Sequence, residues 1–529
     1  MDQVKYSIIP KPQRYLSKEG SFTITSNTPV LCVPEFLEAA KLISNYLKTN
    51  ENTNKDQAIK LNKDANIPAE GYSLKINNEY VLITASDHKG AFYGAITLKT
   101  MIMQSKTKGG KAVLKGCDIY DYPRFSYRGL MLDSSRHFFA VDDIKSLLDQ
   151  MAFCKLNKFH WHLSDDQGYR IESEIYPLLN EISSKRKYEF LSCKYPPLSS
   201  VCKNDGEEYV HYYTKAQIRE IVRYAGALNI DVVPEIDIPG HTSAILAAYP
   251  NLSCNHEKVE VSSTAGIHSN ALCPSNEEVY SFLQNLFDEI CALFPYKYIH
   301  LGGDEAQKAF KKWEDECELC KKDMEENSID NGKEYQSLFM NRIKDILKKK
   351  NKICILWNDG LSSKTDNDFV CQYWTHSNPL FINKETEKRD FILSPTSNFY
   401  FDMSYAHLPL KKAYSFNESK FGFKDDKSIL GLECELWTEW ICDKDELDFS
   451  VYPRIYALSE CAWTKEKYKN YKDFYIRLDF YKLYLKSKNI NYSNLEKKKI
   501  GVKNISPYHL GKLGNEYNYN EKLRQAKEL

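Results

Sequence analysis

RGLMLDSSRHFFAVDDIKSLLDQMAFCKLNKFHWHLSDD, from Arg128 to Asp166, is the stretch on which the reading of the whole chain turns. RGLMLDSS reads as a strand, VDDIKSLLDQMAF from Val141 as a helix, and KFHWHLSDD from Lys158 as a second strand. Strand, helix, strand is the repeating unit of a parallel sheet. The alternation continues with DVVPEIDIPGH from Asp231, YIHLGGDE from Tyr298, ICILWND from Ile353, FVCQYW from Phe369, FILSP from Phe391 and ILGLECELW from Ile429. Most of these are separated by helical patterns. Together they make eight strands, the number that closes a (β/α)8 barrel, so the expected fold class is α/β with a TIM barrel.

Upstream, from Ile8 to about Gly116, the pattern is mixed. YSLKI (Tyr72 to Ile76) and YVLIT (Tyr80 to Thr84) read as strands, and GAFYGAITLKTMIMQ from Gly90 as an amphipathic helix. A small α+β domain is expected there, joined to the barrel through IYDYPRF around Pro123. The expected division is residues 1–122, a barrel over 123–497, and a polar, Asn- and Tyr-rich tail over 498–529 that need not be ordered.

Composition excludes several classes. Of 529 residues, 42% are hydrophobic and 13% aromatic, enough for large cores and too many for a disordered chain. Basic and acidic residues balance at 72 each, so no global positive field draws in nucleic acid or an anionic membrane. No apolar run is long enough to span a bilayer, and MDQVKYSIIPKPQ carries no apolar core of a secretory signal. The 15 cysteines are scattered rather than framed. Cys317 and Cys320 form the one CxxC, in CELC; with no second such pair in the sequence, they read as two helix-surface cysteines. Sequons begin at Asn251, Asn417, Asn491 and Asn504, close to the roughly three that so Asn-rich a chain carries by chance.

Polar residues gather where the barrel strands end: Asp165, His241, Glu305, Asp359 and Glu439. Active sites of such barrels lie at that face. HLGGDEAQ is the most informative segment, because two glycines allow close approach and two acids, Asp304 and Glu305, follow at once. Neighbouring strand residues face opposite ways, so the pair can share a site only where the strand has ended and turned. Two like charges held close push one pKa up, which suits a carboxyl group protonated at working pH. A solvated acidic turn would read the same way from this segment alone. HWHLSDDQ adds His160, His162, Asp165 and Asp166; histidines two apart on one strand face can bind a metal or hydrogen-bond inside the barrel. EIDIPGHT adds Glu235, Asp237 and His241, a histidine placed to tune an acid. Trp357, Trp374 and Trp437 lie near three strand ends, with Tyr400 in SNFYFDM, and aromatic faces at a barrel mouth suit the apolar faces of a sugar.

These motifs resemble the β-N-acetylhexosaminidases of glycoside hydrolase family 20. RGLMLDSSRHF, KFHWHLSDDQGYR, VVPEIDIPGHT, YIHLGGDE, LWND, YFD, LWTE and YPRIYALSECAW stand in the family's order, and the similarity runs from IIPKPQ near Ile8 to Trp463. The resemblance implies an N-terminal α+β domain preceding a catalytic (β/α)8 barrel. It implies Glu305 as general acid/base and Asp304 as the residue that orients the substrate acetamide. It further implies Arg136 on hydroxyls of ring positions three and four, and Asp165 and His241 as a polar chain adjusting the acid. Trp357, Trp374 and Trp437 match the pocket walls, Tyr400 the donor to the acetamide oxygen, and Asp402 and Glu439 the acids that bind outer hydroxyls. Asp359 in LWND stands where the family usually has an acid. The implied reaction is substrate-assisted retention, an exception to the two-carboxylate scheme. The resemblance also implies a glycan partner with a terminal N-acetylhexosamine, no cofactor, no metal, and a lysosomal or secreted location; a homodimer stays open. It suggests that Cys254 and Cys273, which bracket a loop between NLSC and ALCP, come close enough to pair. The stretch AQKAFKKWEDECELC after GGDE departs from any one subgroup.

Three rival functions remain at this level. One is a metal-dependent barrel hydrolase using His160, His162, His241 and Asp304. Another is a non-catalytic sugar binder. The third is a relative that releases a disaccharide or cuts internally.

Overall fold

The computed structural model describes residues 6–48, 57–105, 111–189, 191, 208–375, 389–423 and 428–494; the expected tail 498–529 lies outside them. The eight expected barrel strands all form. They are Tyr127–Asp133, Lys158–His162, Asp231–Glu235, Tyr298–His300, Ile353–Trp357, Val370–Tyr373, Phe391–Leu393 and Ile429–Cys434, and they close into one barrel. The first is in parallel register with the second, Gly129 opposite Lys158 and Asp133 opposite His162. All five residues of Lys158–His162 are buried, as befits a strand covered on both sides. The helices that return the chain are set by local signals. Lys215–Ala227 begins with a capping box, Thr214 and Gln217 exchanging side-chain and backbone hydrogen bonds. Glu277–Leu293 buries Val279, Leu283, Leu286, Ile290 and Leu293 along one face.

The N-terminal sheet has six strands: β1 (Arg14–Ile24), β2 (Val30–Cys32), β3 (Ala58–Lys63), β4 (Tyr72–Ile76), β5 (Tyr80–Ala85) and β6 (Ala112–Asp121), in the order β1-β6-β4-β5-β3-β2. The helix His88–Ser105 is buried continuously from Gly90 to Leu98, so it is covered nearly all round and not along the single stripe expected. Gly94 makes that possible: a Cβ there would come 2.7 Å from Ile83 Cγ2.

By their internal contacts the residues gather into two compact units. One gathers the chain up to Arg128 with Gln150–Leu156 and Ile455–Asn491; the other holds Gly129–Asp149 and Asn157–Arg454. Polar contacts inside the first unit bind the late helix Tyr471–Ser487 to the start of the chain. Arg477 Nη1 donates to the Ile8 carbonyl at 2.6 Å, and the Tyr481 hydroxyl accepts the Ile9 N–H at 2.7 Å.

The CxxC also differs from expectation. Cys317 and Cys320 are buried, not on a helix surface, because the segment after GGDE folds inward around Trp313. Cys254 and Cys273 do come close, as expected, with their sulphurs within 4.8 Å; both are free thiols, and each abuts Cys320.

Candidate active site

The fourth barrel strand ends at His300, and GGDE forms the turn beyond it. Gly302, Gly303 and Glu305 all have left-handed backbone, at φ 64°, 87° and 50°. Glycine takes that conformation freely; a glutamate does so under strain that the surroundings must hold. Three side chains hold it. Asp237 Oδ1 accepts the Gly303 N–H at 3.1 Å, Gln336 Nε2 donates to the Gly303 carbonyl at 2.6 Å, and Asp359 Oδ2 accepts the Glu305 N–H at 3.0 Å. A Cβ on Gly302 would sit 1.9 Å from Asp237 Oδ1, so that position admits no side chain. Strand-end geometry thus lets Asp304 and Glu305 share one side of the barrel mouth.

His241 stands between them and a buried acidic pair. Its Nδ1 lies 3.2 Å from Asp165 Oδ1 and 3.1 Å from Asp166 Oδ2; its Nε2 points toward Glu305 Oε2 at 3.7 Å and Asp304 Oδ2 at 3.9 Å. Burial pulls the imidazole pKa down, but Asp165 and Asp166 outweigh it, and His241 is held well above the ordinary value. Asp165 also meets Arg136 Nη2 at 2.7 Å. Burial would raise its pKa, yet Arg136 and His241 keep it well below the usual carboxylate range. Asp304 is the opposite case. Burial, opposed by His241 and reinforced by Asp359 and Glu305, pushes it up to about 7. Its Oδ1 is buried with no hydrogen-bond partner, an acceptor awaiting a donor.

These groups open into a cavity of about 310 Å³, at the small end for a small-molecule site. Trp374 stacks with Tyr400 at 6.0 Å, and Trp357 tilts against Trp437 at 5.9 Å. Arg136 lies over Trp437 at 5.1 Å while its remaining nitrogens reach Gln167 and Asp133 at 2.8 and 3.0 Å. Tyr400 is buried near Glu435, which keeps its phenol protonated, and the Trp437 indole donates to its oxygen. The Tyr400 O–H is then turned to donate elsewhere.

Residues 125–466 match the family model described as glycosyl hydrolase family 20, catalytic domain, and residues 5–122 match glycosyl hydrolase family 20, domain 2. The chain belongs to glycoside hydrolase family 20. A beta-hexosaminidase of Porphyromonas gingivalis is 32% identical over 92% of this chain, and the chain spans 64% of that relative's length. The human beta-hexosaminidase subunit beta is 29% identical over 77% of the chain and 69% of its own. Among solved structures, an exo beta-N-acetylglucosaminidase of Vibrio harveyi in complex with N-acetylglucosamine aligns at a TM-score of 0.79 with 27% identity, covering 92% of this chain and 78% of that one. The Streptomyces plicatus N-acetyl-beta-hexosaminidase aligns at 0.79 with 27% identity, covering 94% and 98%.

Within this family 20 fold, Arg136, His241, Asp304, Glu305, Trp357, Trp374, Tyr400, Asp402, Trp437 and Glu439 all line the cavity. Asp165 and Asp359 stand behind it. Asp359, expected among the substrate-binding acids, accepts from the Trp374 indole at 2.7 Å through one oxygen and from the Glu305 N–H through the other, so it positions both neighbours. Sequence reasoning missed Thr396, Met403, His407 and Trp440, which complete the rim, and named Asp166 and Asp237 without giving either a role. Trp440 was findable three residues past Trp437 in LWTEW; Thr396, Met403 and His407 carry no such signal. The metal-dependent rival needs His160 and His162 open to the mouth. Both are fully buried inside the barrel, with His160 Nδ1 2.8 Å from Glu433 and His162 Nδ1 2.5 Å from Glu235. Burial lowers their pKa, but Glu433 and Glu235 prevail and raise them to about 10 and about 9.

Proposed function

We propose that this glycoside hydrolase is an exo-acting, retaining β-N-acetylhexosaminidase that uses its substrate's acetamide as nucleophile. The observation that carries this reading is Asp304. It is a buried carboxylate with one unpartnered oxygen, beside Glu305, in a cavity of about 310 Å³ walled by aromatic rings. The names of the relatives point the same way. Glu305 donates its proton to the glycosidic oxygen as the bond to C1 breaks. The acetamide oxygen attacks C1 and gives an oxazolinium ion, while Asp304 accepts the acetamide N–H and balances its positive charge. Receiving that N–H favours ionised Asp304, which lowers the carboxyl pKa on binding. Tyr400 donates to the acetamide oxygen. Arg136, Asp402 and Glu439 take the ring hydroxyls. Water deprotonated by Glu305 then opens the intermediate with retained configuration.

The test is hydrolysis of aryl glycosides that differ only in the sugar. Aryl β-N-acetylglucosaminide or β-N-acetylgalactosaminide should turn over orders of magnitude faster than aryl β-glucoside or β-galactoside, since intramolecular attack can be worth ~7–11 kcal/mol. Comparable rates on the two kinds of sugar would defeat the mechanism.

A further inference from the structure

We propose that Cys254, Cys273, Cys317 and Cys320 form a four-thiolate site for a structural zinc ion. The four sulphurs all lie within 4.8 Å of one another. Cys320 Sγ is 3.7 Å from Cys254 Sγ and 3.6 Å from Cys273 Sγ. Zinc bound at ~2.3 Å to each corner of a sulphur tetrahedron separates the corners by about 3.8 Å. These spacings fit that edge, and none of the four cysteines is engaged in a disulfide.

The surroundings are those of a closed metal site. Cys273, Cys317 and Cys320 are 2%, 7% and 0% exposed, and Trp313, Met324 and Tyr335 pack around them. Cys317 is the N-cap of the helix Glu318–Glu326, the helix end whose dipole favours negative charge. Ser275 Oγ lies 3.3 Å from both Cys273 Sγ and Cys320 Sγ, placed to donate to one of them. Four soft ligands at this spacing select zinc among the common divalent ions and leave no open position for chemistry. Binding replaces the thiol protons with one divalent ion and needs no oxidant.

The position gives the site a purpose. Cys254 and Cys273 lie in the connection 236–276 after the third barrel strand, which carries His241; Cys317 and Cys320 lie in the connection 301–331 after the fourth, which carries Asp304 and Glu305. Both are long excursions, and the buried cluster around Trp313 packs residues of one against residues of the other. A zinc ion across them joins the backbone that presents the histidine to the backbone that presents the acids.

The experiment is metal analysis of the whole protein, purified under reducing conditions without added metal or chelator. About one zinc per chain is expected by elemental mass spectrometry. Replacement by cobalt(II) should give the thiolate-to-cobalt charge-transfer and visible bands of a tetrahedral site. Cys254→Ser and Cys320→Ser should each lose the zinc, and a strong chelator should lower the unfolding temperature of the native chain but not of these variants. If the variants do not fold, the zinc stoichiometry and cobalt spectrum of the native chain still decide. Iron in place of zinc, a disulfide mapped between any two of the four cysteines with no zinc present, or zinc retained in Cys320→Ser would overturn the proposal.

Discussion

At the scale of the residue, Glu305 and Asp304 are neighbours with different demands. In the proposed mechanism Glu305 gives up a proton. Glu305→Gln keeps its shape and loses that proton, so turnover of natural glycosides should fall ~10²–10⁴-fold, and that of an aryl substrate with an acidic leaving group by less. Steady-state rates on both substrates check this. Asp304 is held where a charge is costly. Its carboxyl rises from 3.8 to about 7, at most about 4 kcal/mol of preference for the neutral form at ~1.4 kcal/mol per pH unit. Because the folded value lies above the unfolded one, its contribution to stability is fully present below pH 4 and fades as the pH rises through 7. Asp304→Asn, neutral at every pH, should therefore unfold at a higher temperature than the native chain near neutrality, with the gap closing toward pH 4. Melting curves from pH 4 to 8 give the answer; a gap that stays constant or widens toward acid would refute it.

At the scale of the element, the strand-end turns carry the function. Asn358–Gly360 forms a tight turn after the fifth barrel strand, and it abuts GGDE. A Cβ on Gly360 would meet the Gly303 carbonyl oxygen at 2.2 Å, a backbone atom that cannot swing aside. Gly360→Ala should push the GGDE turn outward, cost ~1–3 kcal/mol of stability, and lower kcat by roughly 10²-fold, because small misplacements of reacting groups are expensive. Gly226→Ala is the control. It lies in the helix Lys215–Ala227 with nothing near the new methyl group, and should stabilise by ~0.5–1 kcal/mol with unchanged kcat. The eight barrel strands were legible because each is a short apolar run ending in polar residues, a pattern set by local chain geometry. The buried helix His88–Ser105 was read as one-sided because periodicity registers a stripe but not what covers the opposite face.

At the scale of the whole molecule, the barrel order and its catalytic mouth followed from the sequence alone, since strand count and chain order leave one simple closure. Asp304, Glu305 and the aromatic walls were legible from their places at strand ends. What the sequence determined was therefore the set of elements and the residues each one delivers at its tip, because these depend on neighbours a few positions apart. The tertiary structure alone decided which distant tips meet. It made Asp359 a brace for Glu305 and Trp374, and it sent Tyr471–Ser487 back to the N-terminal unit. It also gathered a CxxC with two cysteines far from it in the chain. No periodicity encodes such meetings, since they arise when closing the barrel brings its loops together.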